Sequence, residues 1–260
     1  MKISLFVHKL WKLFCSLKLS IVLASMATLL AIGGSVLMPF NPQVFGGLDS
    51  MPLGIWMSEV AAQALTMTWW IPVGGILVVL LALNALCCFI DWLVHFRARW
   101  RKCGEYLIHL GFVLIVVAFL WGSQMGFRSE NNGLLIGQGI PLPQLGLVLK
   151  LDSFEPVFNQ NGRPIDMLNT LALYEGDRLL KRVQARTNHP LTWNGLVVIP
   201  ASYGQTLRDG RYLAYSILTI NYDPGANLAF VGSLGMGSGV LLTLFSFYRK
   251  RTRGDRPEII

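Results

Sequence analysis

Histidine and cysteine change their chemistry most with their surroundings, and this 260-residue chain holds four of each. His109 stands inside an apolar run, Leu107-Ile108-His109-Leu110-Gly111-Phe112. An ionisable side chain within a membrane-length segment is costly to place and is by default a functional candidate. A neutral imidazole there has three uses: axial ligation of haem iron, proton carriage, or a hydrogen bond to a neighbouring helix. Gly111 leaves room beside it for a close helix or a flat ligand. His109 lies only about 6 Å along the axis from the start of its run, near one membrane face. A two-histidine haem site needs a second imidazole, and no other histidine falls within an apolar run. The second ligand would then come from another subunit, or the site has one protein ligand. His8 and His95 sit among lysines and arginines, as solvated or headgroup-facing residues. His189, in Thr187-Asn188-His189-Pro190-Leu191, belongs to a turn-like segment before a strand.

Cys15, Cys87, Cys88 and Cys103 all fall outside residues 126–225, so that region must be stable without disulfides. Adjacent Cys87 and Cys88 point about 100° apart on a helix, unlike a CxxC redox pair or a zinc half-site. They read as small apolar residues at a helix end. The chain has no GxSxG, HExxH or phosphate-loop pattern. Gly232-Ser233-Leu234-Gly235-Met236-Gly237-Ser238-Gly239 is glycine-rich but lies in an apolar run. There Gly235 and Gly239 satisfy the small-xxx-small spacing of packed membrane helices. No metal site other than His109 is expected, and no catalytic residue.

Four elements position these groups. The chain is 53% hydrophobic and 14% charged, with a mean hydropathy of +0.50; soluble domains carry about 25% charged residues. Leu17–Leu37, Trp69–Ile90, Tyr106–Met125 and Ala226–Tyr248 each reach the roughly 20 residues that a hydrocarbon core demands. Aromatic residues such as Trp69, Trp70, Tyr106, Trp121 and Tyr248 mark their ends. The first run continues past Ala24-Ser25-Met26-Ala27, which favours an uncleaved anchor over a signal peptide.

The net charge of +8 is a topology signal and not a nucleic-acid patch. Lysines and arginines concentrate before residue 19, in 91–104 and after 248, while the 39–68 loop has none. The positive-inside rule then places both termini and the 91–104 loop in the cytoplasm, with 39–68 and 126–225 outside. Within 52–67 a mildly amphipathic stretch predicts a short helix on the outer membrane surface.

Residues 126–225 read differently. Leu145–Asp152, Thr170–Tyr174, Leu196–Pro200 and Tyr212–Ile220 alternate or run apolar over strand lengths. Asn161-Gly162, Glu175-Gly176-Asp177, Asn194-Gly195 and Asp209-Gly210 punctuate them as turns. The expected fold is therefore a membrane protein of four transmembrane α-helices with an antiparallel β-rich extracytoplasmic domain between the third and fourth. The division is a three-span membrane region (1–125, with spans 17–37, 69–90 and 106–125), the β-rich domain (126–225), the fourth helix (226–248) and a disordered basic tail (249–260).

Several of these segments resemble the ResB-like family of System II cytochrome c biogenesis proteins (ResB/CcsB). They are Ser16-Leu17-Lys18-Leu19-Ser20-Ile21-Val22-Leu23, Leu81-Ala82-Leu83-Asn84-Ala85-Leu86-Cys87-Cys88 and Ile108–Ile115. Asn188-His189-Pro190-Leu191, Gly195 and Ala201-Ser202-Tyr203-Gly204 are similar to the family's "NHPL…G…YQSSYG" stretch, with Ile199-Pro200-Ala201 where Tyr-Gln-Ser is usual. The resemblance runs in order through residues 16–248. It implies an accessory subunit of a cytochrome c haem lyase system in the cytoplasmic (inner) membrane. Such a subunit works with a ResC/CcsA-type partner, which carries a tryptophan-rich WWD segment absent here, to carry haem b outward and attach it to apocytochrome c. It further implies that His109 is a haem axial ligand, and that His189 and Tyr203 belong to a functional segment of the outer domain. The alternative is a structural or haem-bearing membrane subunit of a redox complex that reuses the same fold. Neither reading involves nucleic acid.

Overall fold

The computed structural model describes residues 2–99, 102–161, 163–208 and 210–252. The chain divides into two compact units. One holds Met1–Leu48, Leu53–Gln124 and Gly225–Ile260; the other holds Asp49–Pro52 and Met125–Pro224.

In the first unit the helices are α1 (Lys2–Phe14), α2 (Leu17–Leu37), α3 (Pro42–Phe45), α4 (Leu53–Glu59), α5 (Leu65–Thr68), α6 (Trp70–Val94), α7 (Phe96–Arg99), α8 (Cys103–Met125) and, after the strands, α9 (Ala226–Thr252). Four stretches are long and apolar enough to cross a membrane: Leu17–Phe40, Leu65–Val94, Cys103–Met125 and Ala226–Arg249. Apolar residues occur on all their faces, the pattern of a helix that crosses a bilayer. α9 continues to Thr252, so the start of the expected tail is helical, and residues 253–260 lie outside the described residues.

Small residues decide how these helices meet. On α8, Gly104, Gly111 and Ala118 recur every seven residues, and so do Gly225, immediately before α9, and Gly232 and Gly239 on it. A Cβ on Gly111 would stand 2.6 Å from the Gly232 carbonyl oxygen, and one on Gly239 would stand 2.7 Å from that of Gly104. Gly225 likewise abuts the Ala118 carbonyl. The pairing order makes the two helices antiparallel, with backbones in contact. A seven-residue repeat keeps one seam facing the partner, and the expected Gly235–Gly239 pair lies along it: a Cβ on Gly235 would stand 4.0 Å from the Gly111 Cα, an ordinary contact, while Gly237 faces nothing within 4 Å.

α2 packs on α6 in the same manner, Gly34 lying under the Trp70 ring. Toward the other end, the buried Asn84 of α6 donates to the Phe14 carbonyl at 2.5 Å and to that of Ser16 at 3.4 Å, and accepts from the Ser20 hydroxyl. This one amide pairs the Phe14 carbonyl at the break between α1 and α2, where an unpaired polar group in an apolar setting would be costly, and adds to the Ser16 carbonyl, which also accepts the Ser20 N–H. Between α2 and α6, the fully buried Trp56 of α4 stacks on Phe45 at 6.1 Å and donates its indole N–H to the Val44 carbonyl. The 39–68 loop is thereby folded around its own aromatic centre.

The second unit contains β1 (Phe127–Leu134), β2 (Gly139–Leu142), β3 (Leu147–Phe158), β4 (Pro164–Glu175), β5 (Arg178–Ala185), β6 (Leu191–Trp193), β7 (Leu196–Arg208) and β8 (Arg211–Tyr222). All pairings are antiparallel, in two four-stranded sheets ordered β1-β8-β7-β6 and β2-β3-β4-β5. Alternation sends Leu149, Leu151, Leu171, Leu173, Leu191, Val198, Leu218 and Ile220 into one core, each contributing about 1.5–3 kcal/mol by leaving water. The Asn194-Gly195 turn forms as expected: both residues have positive φ, 43° and 85°, and join Trp193 to its partner Leu196. Glu175 likewise pairs with Arg178 across Gly176-Asp177. In the other two expected turns, Gly162 and Asp209 lie outside the described residues.

Candidate functional site

His109 sits in the second turn of α8. Its Nδ1 lies 2.7 Å from the Glu105 carbonyl oxygen, one turn back. A carbonyl oxygen has no proton to give, so Nδ1 is the donor and carries the hydrogen. The other ring nitrogen, Nε2, makes no hydrogen bond among the described residues. An imidazole oriented through Nδ1–H with Nε2 free is how a histidine is prepared to ligate a metal. The residue is half-buried.

Aromatic rings extend the site from α8 to α6. Tyr106 lies 5.8 Å from the His109 ring and stacks on Trp92 at 5.0 Å with an 18° interplanar angle. Trp92 in turn meets Phe89 at 5.7 Å and Phe96 edge-on at 5.0 Å. This row is flat, polarisable and apolar, the kind of wall that suits a planar hydrophobic ligand. The other face of α8 is closed: Gly111 is filled by Gly232 and Met236 of α9. Of the two occupants that Gly111 allowed, it receives the helix. The helix begins at Cys103, so His109 lies about 9 Å from its start, still shallow.

The sequence singles out His109 but not the rings beside it. Tyr106 was legible only as an interface marker. Trp92 is 17 residues from His109 on a different helix, and no local pattern announces that pairing.

The outer-segment residues do not converge. His189 is exposed in the β5–β6 connection, where its backbone N–H and C=O pair with those of Arg186 at 3.1 and 3.0 Å. Tyr203 of β7 is half-buried, its ring 5.9 Å from that of Phe154 across the sandwich. Among the described residues no hydrogen bond or ring contact joins His189 to Tyr203, and no group of three or more His, Cys, Asp or Glu side chains can hold a metal ion.

Four apolar helices together with an antiparallel β-sandwich define a multi-pass membrane protein with a substantial polar domain. Residues 91–212, just under half of the chain, match the ResB-like family. That segment is narrower than the 16–248 over which the motifs run, but it contains Trp92, Tyr106, His109, His189 and Tyr203. Cytochrome c biogenesis protein CcsB of Prochlorococcus marinus (strain MIT 9313) is 34% identical over 118 residues, 42% of this chain and 27% of that protein. Its namesake in Synechococcus sp. (strain WH7803) is 29% identical over 117 residues, 44% of this chain and 27% of that protein. The chain thus spans about a quarter of the length of the curated relatives it matches. A solved structure, Cytochrome c Heme Lyase CcmF, is similar at a TM-score of 0.44 and 13% identity, covering 65% of this chain and 30% of that one. That likeness is too loose to carry an argument.

Proposed function

We propose that this chain serves cytochrome c maturation as the ResB-like subunit of a System II complex. In this reading haem b is cargo, taken up at the cytoplasmic side and moved outward for attachment to apocytochrome c. The free Nε2 of His109 carries the proposal, since the orienting bond to Glu105 leaves that atom poised to ligate iron. Tyr106 and Trp92 would flank the porphyrin. Haem would supply an iron centre that imidazole can ligate, and His109 would be the residue of this chain that holds it. A ResC/CcsA-type partner would supply the other ligand and the haem-attaching machinery. The relatives' names, which speak of cytochrome c biogenesis, support the process.

The basic flanks support an inner-membrane topology with both termini cytoplasmic and residues 126–225 extracytoplasmic, where the sandwich would meet apocytochrome c. Its His189 and Tyr203 lie in the segment proposed to serve that role.

The test is the Soret absorption of full-length protein purified from haem-replete cells. Wild type should show a band, His109→Ala should lose it, and His109→Gly should regain it on adding imidazole. A wild-type protein without haem, or a band untouched by His109→Ala, overturns the assignment. Co-purification with a ResC-like subunit supports the maturation role; a stable oxidoreductase in its place overturns it.

A further inference from the structure

From Val7 to Phe14, α1 sorts its side chains by chemistry. At 100° per residue, Val7, Leu10, Trp11, Leu13 and Phe14 share an arc of about 160°, and His8, Lys9 and Lys12 share a separate one of about 100°. Trp11 and Phe14 are half-buried, whereas Val7, Leu10 and Leu13 are 57%, 45% and 52% exposed. The helix contains no acidic residue.

Its location is fixed at one end. Only Cys15 and Ser16 separate α1 from α2, whose residues begin the first membrane-length stretch. Asn84 grips the carbonyls of Phe14 and Ser16, and the Cys88 thiol lies 3.9 Å from the Phe14 carbonyl. The C-terminal end of α1 is therefore held to α6 and cannot move away from the spans. A bilayer around α2 ends within one helical turn of α1. An exposed apolar arc beside a wholly basic one, at that level, has the character of a helix lying in a membrane interface.

We propose that α1 is an anchor for anionic lipid. Val7, Leu10 and Leu13 enter the acyl boundary of the leaflet where α2 begins, while Lys9 and Lys12 engage negatively charged headgroups. The occupant is a lipid surface because covalent continuity with α2 brings the bilayer to this helix and because nothing acidic on α1 offsets its charge.

Hydrogen–deuterium exchange on the full-length chain tests this, in nanodiscs of phosphatidylcholine alone and of equimolar phosphatidylcholine and phosphatidylglycerol. The α1 amides should exchange more slowly in the anionic discs. Lys9→Gln/Lys12→Gln should abolish that difference, roughly tenfold in rate. Val7→Ser/Leu10→Ser/Leu13→Ser should lose the protection in both discs, with α2 amides unchanged as the control for folding. Equal α1 protection in detergent and in both discs would assign α1 to packing on α6 and overturn the proposal. So would apolar or lysine variants that exchange like wild type.

Discussion

Cys15 shows how position overrides composition at the level of one residue. It lies in the break between α1 and α2, beside Cys88, and burial first, then that neighbouring thiol, pushes its own thiol up to about 11. The neutral form is the favoured one, so the nucleophilic thiolate is scarce below that value. Alkylation of Cys15, followed by peptide mass spectrometry, should stay slow through pH 9, where an ordinary thiol is already extensively ionised, and should accelerate only toward pH 11. Rapid labelling near neutrality would contradict the burial. His109 is the converse case. Its type and apolar surroundings made it visible in the sequence, but its tautomer depends on a single contact with Glu105 that only the folded helix provides. Asn84 was visible merely as one letter of a family-like segment; the structure makes it the clasp of the α1–α2 break.

Among the elements, hydropathy exposed the four long helices because a bilayer imposes both length and composition on anything that crosses it. Their partners were hidden. The α8–α9 seam repeats every seven residues, and the four-residue spacing of Gly235 and Gly239 marks only one stretch of it. α1 is hidden for another reason: its lysines look like the charged flank of the span that follows, and its apolar arc from Val7 to Phe14 covers little more than two helical turns. The seam makes a sharp prediction. Gly111→Leu must push its side chain into the α9 backbone, and should lower the full-length protein's thermal unfolding midpoint in detergent, with a loss of about 1–3 kcal/mol from overpacking. Gly237→Ala, facing open space, should leave the midpoint unchanged or raise it slightly. Equal effects from the two substitutions would show that the seam does not hold the helices together.

At the scale of the whole molecule, the strands were legible through alternation and through Asn194-Gly195, whereas their order within the two sheets was not. Sheet order depends on partners such as β1 and β8, separated by most of the unit, and no local pattern carries that information. Membrane orientation rests on the charged flanks. A reporter enzyme active only outside the cytoplasm should be active when fused after Asn188 and inactive when fused after Arg99. The reverse pattern would invert the proposed topology and remove His109 from the side where haem is made.

Phe127, at the start of β1, pairs with Tyr222, at the end of β8. The sandwich thus opens and closes at adjacent points, while α8 and α9 are zipped by their own glycines up to Ala118 and Gly225. In evolutionary terms the β-sandwich is a cassette spliced into a helical hairpin. Its length and surface can drift, or be exchanged for another fold with neighbouring ends, without re-pairing the membrane helices. Selection on the surface of the β-sandwich can therefore proceed apart from selection on the segment that carries His109.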